Sequence, residues 1–279
     1  LDLGFLNNRL NLTADAYVRD TKGMQTSGKK LPGAYGANEP KQNAANLRTK
    51  GWELMLTWND AFKLANKPFR YNLSVGLADN TSEITKFDNP SKILSDYYVG
   101  QKLGDIWGYV VDGLFRTDEE AANYNVDQTA VNFVINTAQV NPGLHAGDMK
   151  FVDLDGDHTI SSGSTTADDP GDRKIIGNSL PRYTYSIQGG FDWYGFDFSI
   201  YLQGVGHQDW YPGTNSVFFW GPYARPYSSF IPRDFLSQVW SPENPDAYFP
   251  RPIGYLALGN NRSLGVVNDR YLQNLAYCR

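Results

Sequence analysis

Apolar and polar residues alternate with a period of two along several stretches, which is the pattern of β-strands. The clearest stretch covers residues 10–18 and places five apolar side chains on one face: Leu10, Leu12, Ala14, Ala16 and Val18. The same alternation recurs in four later ranges: 51–58, 69–77, 183–191 and 196–202. With apolar stretches at 1–6 and from 269 onward, the pattern predicts about seven strands. Each strand is either half buried or faces lipid, and alternation does not distinguish these.

The connections between these strands are alternately short and long. We expect short turns at 7–8, near Lys63 and around Tyr194, whereas polar stretches of tens of residues join the other strands. Outer-membrane barrels have short periplasmic turns and long extracellular loops. The order of lengths therefore favours a transmembrane barrel over a soluble sandwich.

This interpretation predicts an all-β fold, an antiparallel transmembrane β-barrel portion with long extracellular loops and short periplasmic turns. About seven strands with open edges cannot close in lipid, so we expect an incomplete barrel. We expect no signal peptide at Leu1, and we expect the chain to be a piece of a longer protein or a mature segment. Five parts follow in order: barrel strands in 1–86 with a long loop near 20–50, a large extracellular loop region in 87–181, a hairpin in 182–206, a second long loop in 207–268, and the start of a further strand in 269–279.

Composition removes several classes of function. A net charge of -5 and 41% hydrophobic residues exclude a disordered acidic tail and provide no basic surface for nucleic acid. No apolar run reaches the roughly 18 residues of a transmembrane helix. The one cysteine, Cys278, cannot form an internal disulfide. Aromatic residues make up 14% of the chain, which suits sheets, sugar-binding surfaces or membrane girdles.

An Asp-rich loop is the strongest candidate for binding chemistry. Asp153, Asp155 and Asp157 stand at alternate positions, and the carbonyl of Thr159 is due two residues later, as in the first half of an EF-hand calcium loop. The twelfth position carries serine instead of glutamate, so we expect Asp172, or Asp168 or Asp169, to complete the ligand shell. The loop therefore predicts a possible Ca²⁺ site, and a plain surface turn is the alternative.

Catalysis finds little support, and we expect the protein not to be an enzyme. The sequence has no HExxH, GxSxG or P-loop motif. Trp210, Trp220 and Tyr223 are candidates for stacking on sugar rings, with packing of the loop onto itself as the favoured alternative.

Several ordered motifs resemble the SusC/RagA family of TonB-dependent outer-membrane transporters. They are Asn46–Leu54, Gly100–Phe115, Gly147–Asp157, Asp172–Tyr183 (DRKIIGNSLPRY) and Asn268–Arg279. The resemblance covers essentially the whole chain and implies the C-terminal portion of the family's barrel. It implies location in the outer membrane of a Gram-negative cell and contact with its lipid.

The resemblance also implies import of an oligosaccharide or peptide nutrient. A SusD-like lipoprotein would cap the extracellular loops, and TonB–ExbB–ExbD would act through parts outside these residues. Trp107, Trp210, Trp220 and Tyr223 would then contact substrate in the vestibule. Two alternatives stay open: a soluble, secreted, calcium-stabilised β-domain that binds carbohydrate, and a β-rich glycoside hydrolase.

Overall fold

The computed structural model describes residues 1–27, 34, 36, 40–131, 143–224, 231–252 and 264–279. Internal contacts divide the chain into two units. The sheet unit comprises residues 1–105, 178–209 and 274–279, and the loop unit comprises 106–177 and 210–273.

The described residues form thirteen strands: β1 Asp2–Phe5, β2 Leu10–Ser27, β3 Lys41–Leu64, β4 Lys67–Lys86, β5 Asp105–Tyr109, β6 Val111–Leu114, β7 Met149–Phe151, β8 Arg173–Asn178, β9 Arg182–Trp193, β10 Phe196–His207, β11 Asp209–Trp210, β12 Gln273–Asn274 and β13 Tyr277–Cys278. Seven of them make one antiparallel sheet in the order β1-β2-β3-β4-β9-β10-β13. The others form two-stranded pairs, β5 with β8, β6 with β7, and β11 with β12. In the described residues the seven-stranded sheet is open, and its antiparallel strands confirm the all-β antiparallel prediction.

Tight turns join the sheet strands where the chain adopts left-handed conformations. Residues 6–8 have φ of 55 to 61°, and Tyr194 and Gly195 have φ of 52° and 86°. Two consecutive positive φ values give a turn whose twist matches that of the flanking strands. The turns predicted at 7–8 and around Tyr194 are therefore confirmed. The turn expected near Lys63 lies instead at Ala65–Asn66.

The strands are longer than their apolar alternation. β2 continues to Ser27 and β3 begins at Lys41, so the loop predicted near 20–50 was drawn too wide. Because polar residues occupy both faces of these extensions, the alternation of apolar and polar residues is lost there. Pairing continues there through backbone bonds and through the ion pair of Arg48 with Asp20 at 2.7 Å.

One face of the sheet is apolar and exposed. The register places Leu54 opposite Leu77 and Leu56 opposite Val75, so their side chains share a face. Eight apolar residues in β3, β4, β9 and β10 are between 36% and 51% exposed: Leu54, Leu56, Leu73, Val75, Leu77, Phe191, Phe198 and Ile200. This surface, which we call the apolar face, is the side that the sequence predicted to contact a core or lipid.

The loop unit has its own hydrophobic core, built from both long connections of the chain. Residues from the first connection, such as Met149 and Phe151, pack with Trp220, Phe249 and Tyr271 from the second. The sequence predicted two separate loop regions in 87–181 and 207–268, and the structure joins most of each in one unit.

Among the described residues, three short α-helices lie in the loop unit: α1 Asp118–Ala122, α2 Val217–Trp220 and α3 Phe235–Gln238. Thr117 caps α1, because its hydroxyl accepts the N–H of Glu120 at 3.1 Å. The Glu120 carboxylate accepts the N–H of Arg116 at 2.8 Å, one residue before the cap. Among the described residues, no helix is long and apolar enough to cross a membrane. The strand expected from residue 269 is wrong in its start, since β12 and β13 begin at 273 and 277.

Candidate functional site

The Asp-rich loop is held by its own side chains. Asp153 accepts the N–H of Gly156 at 2.7 Å and that of His158 at 2.8 Å. Asp155 and Asp157 each accept the N–H two positions later, as Asx-turns do. Gly156 and His158 have φ of 81° and 64°, so histidine adopts the left-handed conformation that an EF-hand gives to glycine. The loop therefore turns sharply without the expected glycine.

Asp172 closes this loop from its far end. Its side chain is fully buried, and its oxygens accept the N–H of Leu154 and the N–H of Ser161, both at 2.7 Å. Oxygen atoms of Asp153, Asp155 and Asp172 lie within 4.8 Å of one another. Three carboxylates offer the hard oxygen donors that Ca²⁺ prefers, and each oxygen keeps a lone pair beside its backbone bond. We call these three residues the Asp triad.

The Asp triad differs from the ligand set that the sequence spacing predicted. Asp157 is not in the group of three, and the backbone carbonyl of Thr159 stays a predicted ligand. The N–H of Asp157 donates to Asp155 and lowers its pKa, but partial desolvation and the neighbouring carboxylates outweigh this and raise the pKa above its usual value. A cation among these carboxylates would relieve their repulsion.

The four aromatic residues predicted to bind substrate separate into two pairs. Trp220 and Tyr223 are 0% and 1% exposed, so their rings offer no face to a ligand in this structure. The Trp220 indole donates to the carbonyl of Gly213 at 3.0 Å, and the Tyr223 hydroxyl donates to that of Pro250 at 2.5 Å. Burial raises the pKa of Tyr223. The packing alternative is therefore correct for both residues.

Trp107 and Trp210 remain accessible. Trp210 is 41% exposed, and Trp107 in β5 is half-buried beside a pocket of the loop unit. Trp210 does not line that pocket. The structure thus leaves Trp107 and Trp210 as the members of the predicted set with accessible rings.

Sequence reasoning missed an ion pair that joins the two connections of the loop unit. The Arg251 Nε donates to the Asp148 Oδ1 at 2.5 Å, and Nη2 donates to Oδ2 at 3.2 Å. The N–H of Arg251 also donates to the carbonyl of Gly147 at 2.8 Å. The residues are 103 positions apart, so no local pattern could have paired them.

The antiparallel sheet is similar in fold to part of a barrel-type transporter structure. The "RagAB peptide transporter" structure matches with a TM-score of 0.63 at 17% identity, covering 100% of this chain and 27% of that one. The same importer in its "open-open" state matches with a TM-score of 0.60 at 16% identity, covering 99% of this chain and 26% of that one. At such identities the likeness concerns the fold.

Sequence relatives point to the same type of protein. The "TonB-dependent receptor P39" of Formosa agariphila is 27% identical over 223 residues, which cover 72% of this chain and 20% of the relative. "TonB-dependent receptor P3" of the same organism is 24% identical over 293 residues, covering 100% of this chain and 25% of the relative. No protein-family model matches the chain.

Together with the motifs, these relatives show that the chain is similar to TonB-dependent receptors of the SusC/RagA type. The chain spans about a quarter or less of the length of the relatives it matches. By their names, these relatives are receptors and transporters, not enzymes.

Proposed function

We propose that this chain forms part of an outer-membrane importer of oligosaccharide or peptide nutrients. The observation that carries the proposal is the apolar face. Its side chains are exposed on long paired strands, where a soluble β-domain would bury them in a core. Contact with lipid gives such a face an apolar surrounding. The relatives support the same proposal through their names.

The lipid contact has a direct test in the full-length protein after replacement of Cys278 by serine. A bimane fluorophore is attached at Leu56→Cys on the apolar face, or at Thr57→Cys on the opposite face as a matched control. In vesicles that contain doxyl-labelled lipid, we expect strong quenching at position 56 and weak quenching at 57, because neighbours in a strand face opposite sides. Equal quenching, or a protein that stays soluble without detergent, contradicts the proposal.

Import is tested in the native cells. Deletion of the gene should abolish uptake of fluorescent oligosaccharides or peptides of one class, and the gene carried on a plasmid should restore it. Uptake that continues unchanged with both classes contradicts an import role.

Partners belong to the same proposal. A SusD-like surface lipoprotein would cap the loop unit, and TonB–ExbB–ExbD would supply energy through parts of the protein outside these residues. The name of the RagAB transporter supports the idea of a two-component assembly. Affinity purification of the tagged full-length protein should recover one lipoprotein in equal amount. Recovery of the transporter without any lipoprotein contradicts this pairing.

We also propose that the Asp triad binds Ca²⁺ and stiffens the surface of the loop unit. Its oxygen donors, their mutual distances and their crowded charges support this. In the full-length protein, Asp155→Asn should weaken Tb³⁺ and Ca²⁺ binding at least tenfold, whereas Asp157→Asn should change it little. Equal effects of the two substitutions contradict the triad as the ligand set, and absence of binding in the wild type contradicts the site itself.

A further inference from the structure

A pocket of about 390 Å³ lies in the loop unit beside the Asp-rich loop. Its walls come from Trp107 and Tyr109 in β5, Ser162 and Thr165 in the loop, and Arg173 at the start of β8. Ala130 and three valines complete the lining. We call this cavity the Arg173 pocket. Its volume falls at the lower end of small-ligand sites, roughly 300–1,000 Å³.

The guanidinium of Arg173 brings a positive charge to the pocket. Its Nε donates to the carbonyl of Pro170 at 3.2 Å, and Nη2 donates to that of Ser162 at 2.8 Å. Within the described ranges Arg173 forms no ion pair, and its remaining N–H groups bind no protein acceptor. The adjacent Asp172 uses its oxygens on backbone N–H groups instead. The two carbonyl bonds hold the guanidinium in place with donors to spare.

The other polar side chains of the pocket also have unused hydrogen-bonding capacity. In the part of the chain that the structure describes, the hydroxyls of Tyr109, Ser162 and Thr165 bond to no protein group. The Trp107 Nε1 is buried without an acceptor among the described residues, which is costly and uncommon in a folded protein. Among the residues that the structure describes, no acidic side chain lines the pocket. Donors therefore dominate its polar lining.

We propose that the Arg173 pocket binds a carboxylate-bearing group of the imported nutrient, and this inference rests on the proposed import function. A planar carboxylate matches the guanidinium fork and gains charge-assisted bonds from it. The hydroxyls provide further donors, and the aromatic rings of Trp107 and Tyr109 provide an apolar wall. The size of the pocket fits one terminal residue or one sugar unit. The carboxylate belongs either to a peptide or to a uronic acid.

Binding to the purified full-length protein in detergent tests this with two matched pairs of probes. One pair is a short peptide with a free C-terminal carboxylate and the same peptide with a C-terminal amide. The other is an oligosaccharide that ends in a uronic acid and its neutral counterpart. We expect the acidic member of one pair to bind at least tenfold more tightly, and the pair that shows this identifies the source of the carboxylate.

Three variants locate the preference in the pocket. Arg173→Gln should abolish it by removing the charge, and Ala130→Phe at the pocket wall should abolish it while leaving Arg173 and its carbonyl bonds in place. Arg116→Gln, which removes an exposed arginine paired with Asp246, should leave it unchanged. The inference is overturned if both pocket variants keep the preference for the acidic probe, or if the wild type shows no such preference with either pair of probes. If uptake of a neutral nutrient depends on the gene in the deletion assay, import is still supported. The import function and the carboxylate preference of the pocket can therefore fail separately.

Discussion

Replacing Asp148 by asparagine should loosen the contact between the two connections of the loop unit. The substitution keeps the shape of the side chain and removes the charge that faces Arg251. The backbone bond from the N–H of Arg251 to the carbonyl of Gly147 depends on the same contact. We therefore expect this amide to exchange with solvent faster in Asp148→Asn.

The exposure of the two partners sets the size of the effect. Breaking a fully buried ion pair costs about 3–5 kcal/mol, because the remaining charge is left without a partner. The Asp148 side chain is 9% exposed, but that of Arg251 is 32% exposed and regains water. We therefore expect a local loss of about 2 kcal/mol, which corresponds to roughly 30-fold faster exchange.

Hydrogen exchange of the full-length protein, read by mass spectrometry on peptides that cover 145–151 and 248–252, measures this change. Asp246→Asn is the matched control, since Asp246 pairs with Arg116 at 2.8 Å and the side chains are 76% and 66% exposed. Such a surface pair contributes about 0–1 kcal/mol. Equal exchange in the two variants would refute the reasoning, because it would mean that burial adds nothing to the Asp148 pair.

Three further predictions use thermal unfolding or hydrogen exchange of the full-length protein. Trp220→Ala should destabilise the loop unit by about 3–5 kcal/mol, since the buried ring leaves a cavity, and Trp220→Phe should cost less; equal costs would contradict this. Hydrogen bonds from the side chain and backbone of Thr129 lower the pKa of Asp127 in the folded state. The contribution of Asp127 to folding stability is therefore complete above about pH 4 and is lost as the pH falls through the lower folded pKa. Asp127→Asn should not show this loss of stability. Gly104 has φ of 86° and an added Cβ would meet neighbours at 2.5 Å, so Gly104→Ala should cost more than about 1 kcal/mol, whereas Gly213→Ala, with open space, should be nearly neutral.

The sequence determined the sheet through local preferences. Leu54 and Leu56 fall on one face because a strand turns alternate side chains to opposite sides, and no distant residue is needed to decide this. The turn at Tyr194 and Gly195 follows from a glycine in a left-handed position. Local rules fail at the polar ends of β2 and β3, since pairing there depends on the partner strand and not on an apolar pattern.

The sequence predicted only part of the ligand set of the Asp-rich loop. Spacing selected Asp153 and Asp155, and the need for a closing carboxylate brought in Asp172. The geometry that separates Asp157 from the Asp triad depends on how the loop folds back, which spacing does not describe.

Only the tertiary structure decided that the two long connections form one unit. Trp220 could stack on a ligand or pack in a core by its chemistry, and the packing partners Phe249 and Tyr271 settle the question. Asp148 and Arg251, 103 positions apart, meet for the same reason. Contacts between distant residues depend on the energy of the whole packed arrangement, and so a pattern read along the chain fixes strands and turns but not which loops share a core.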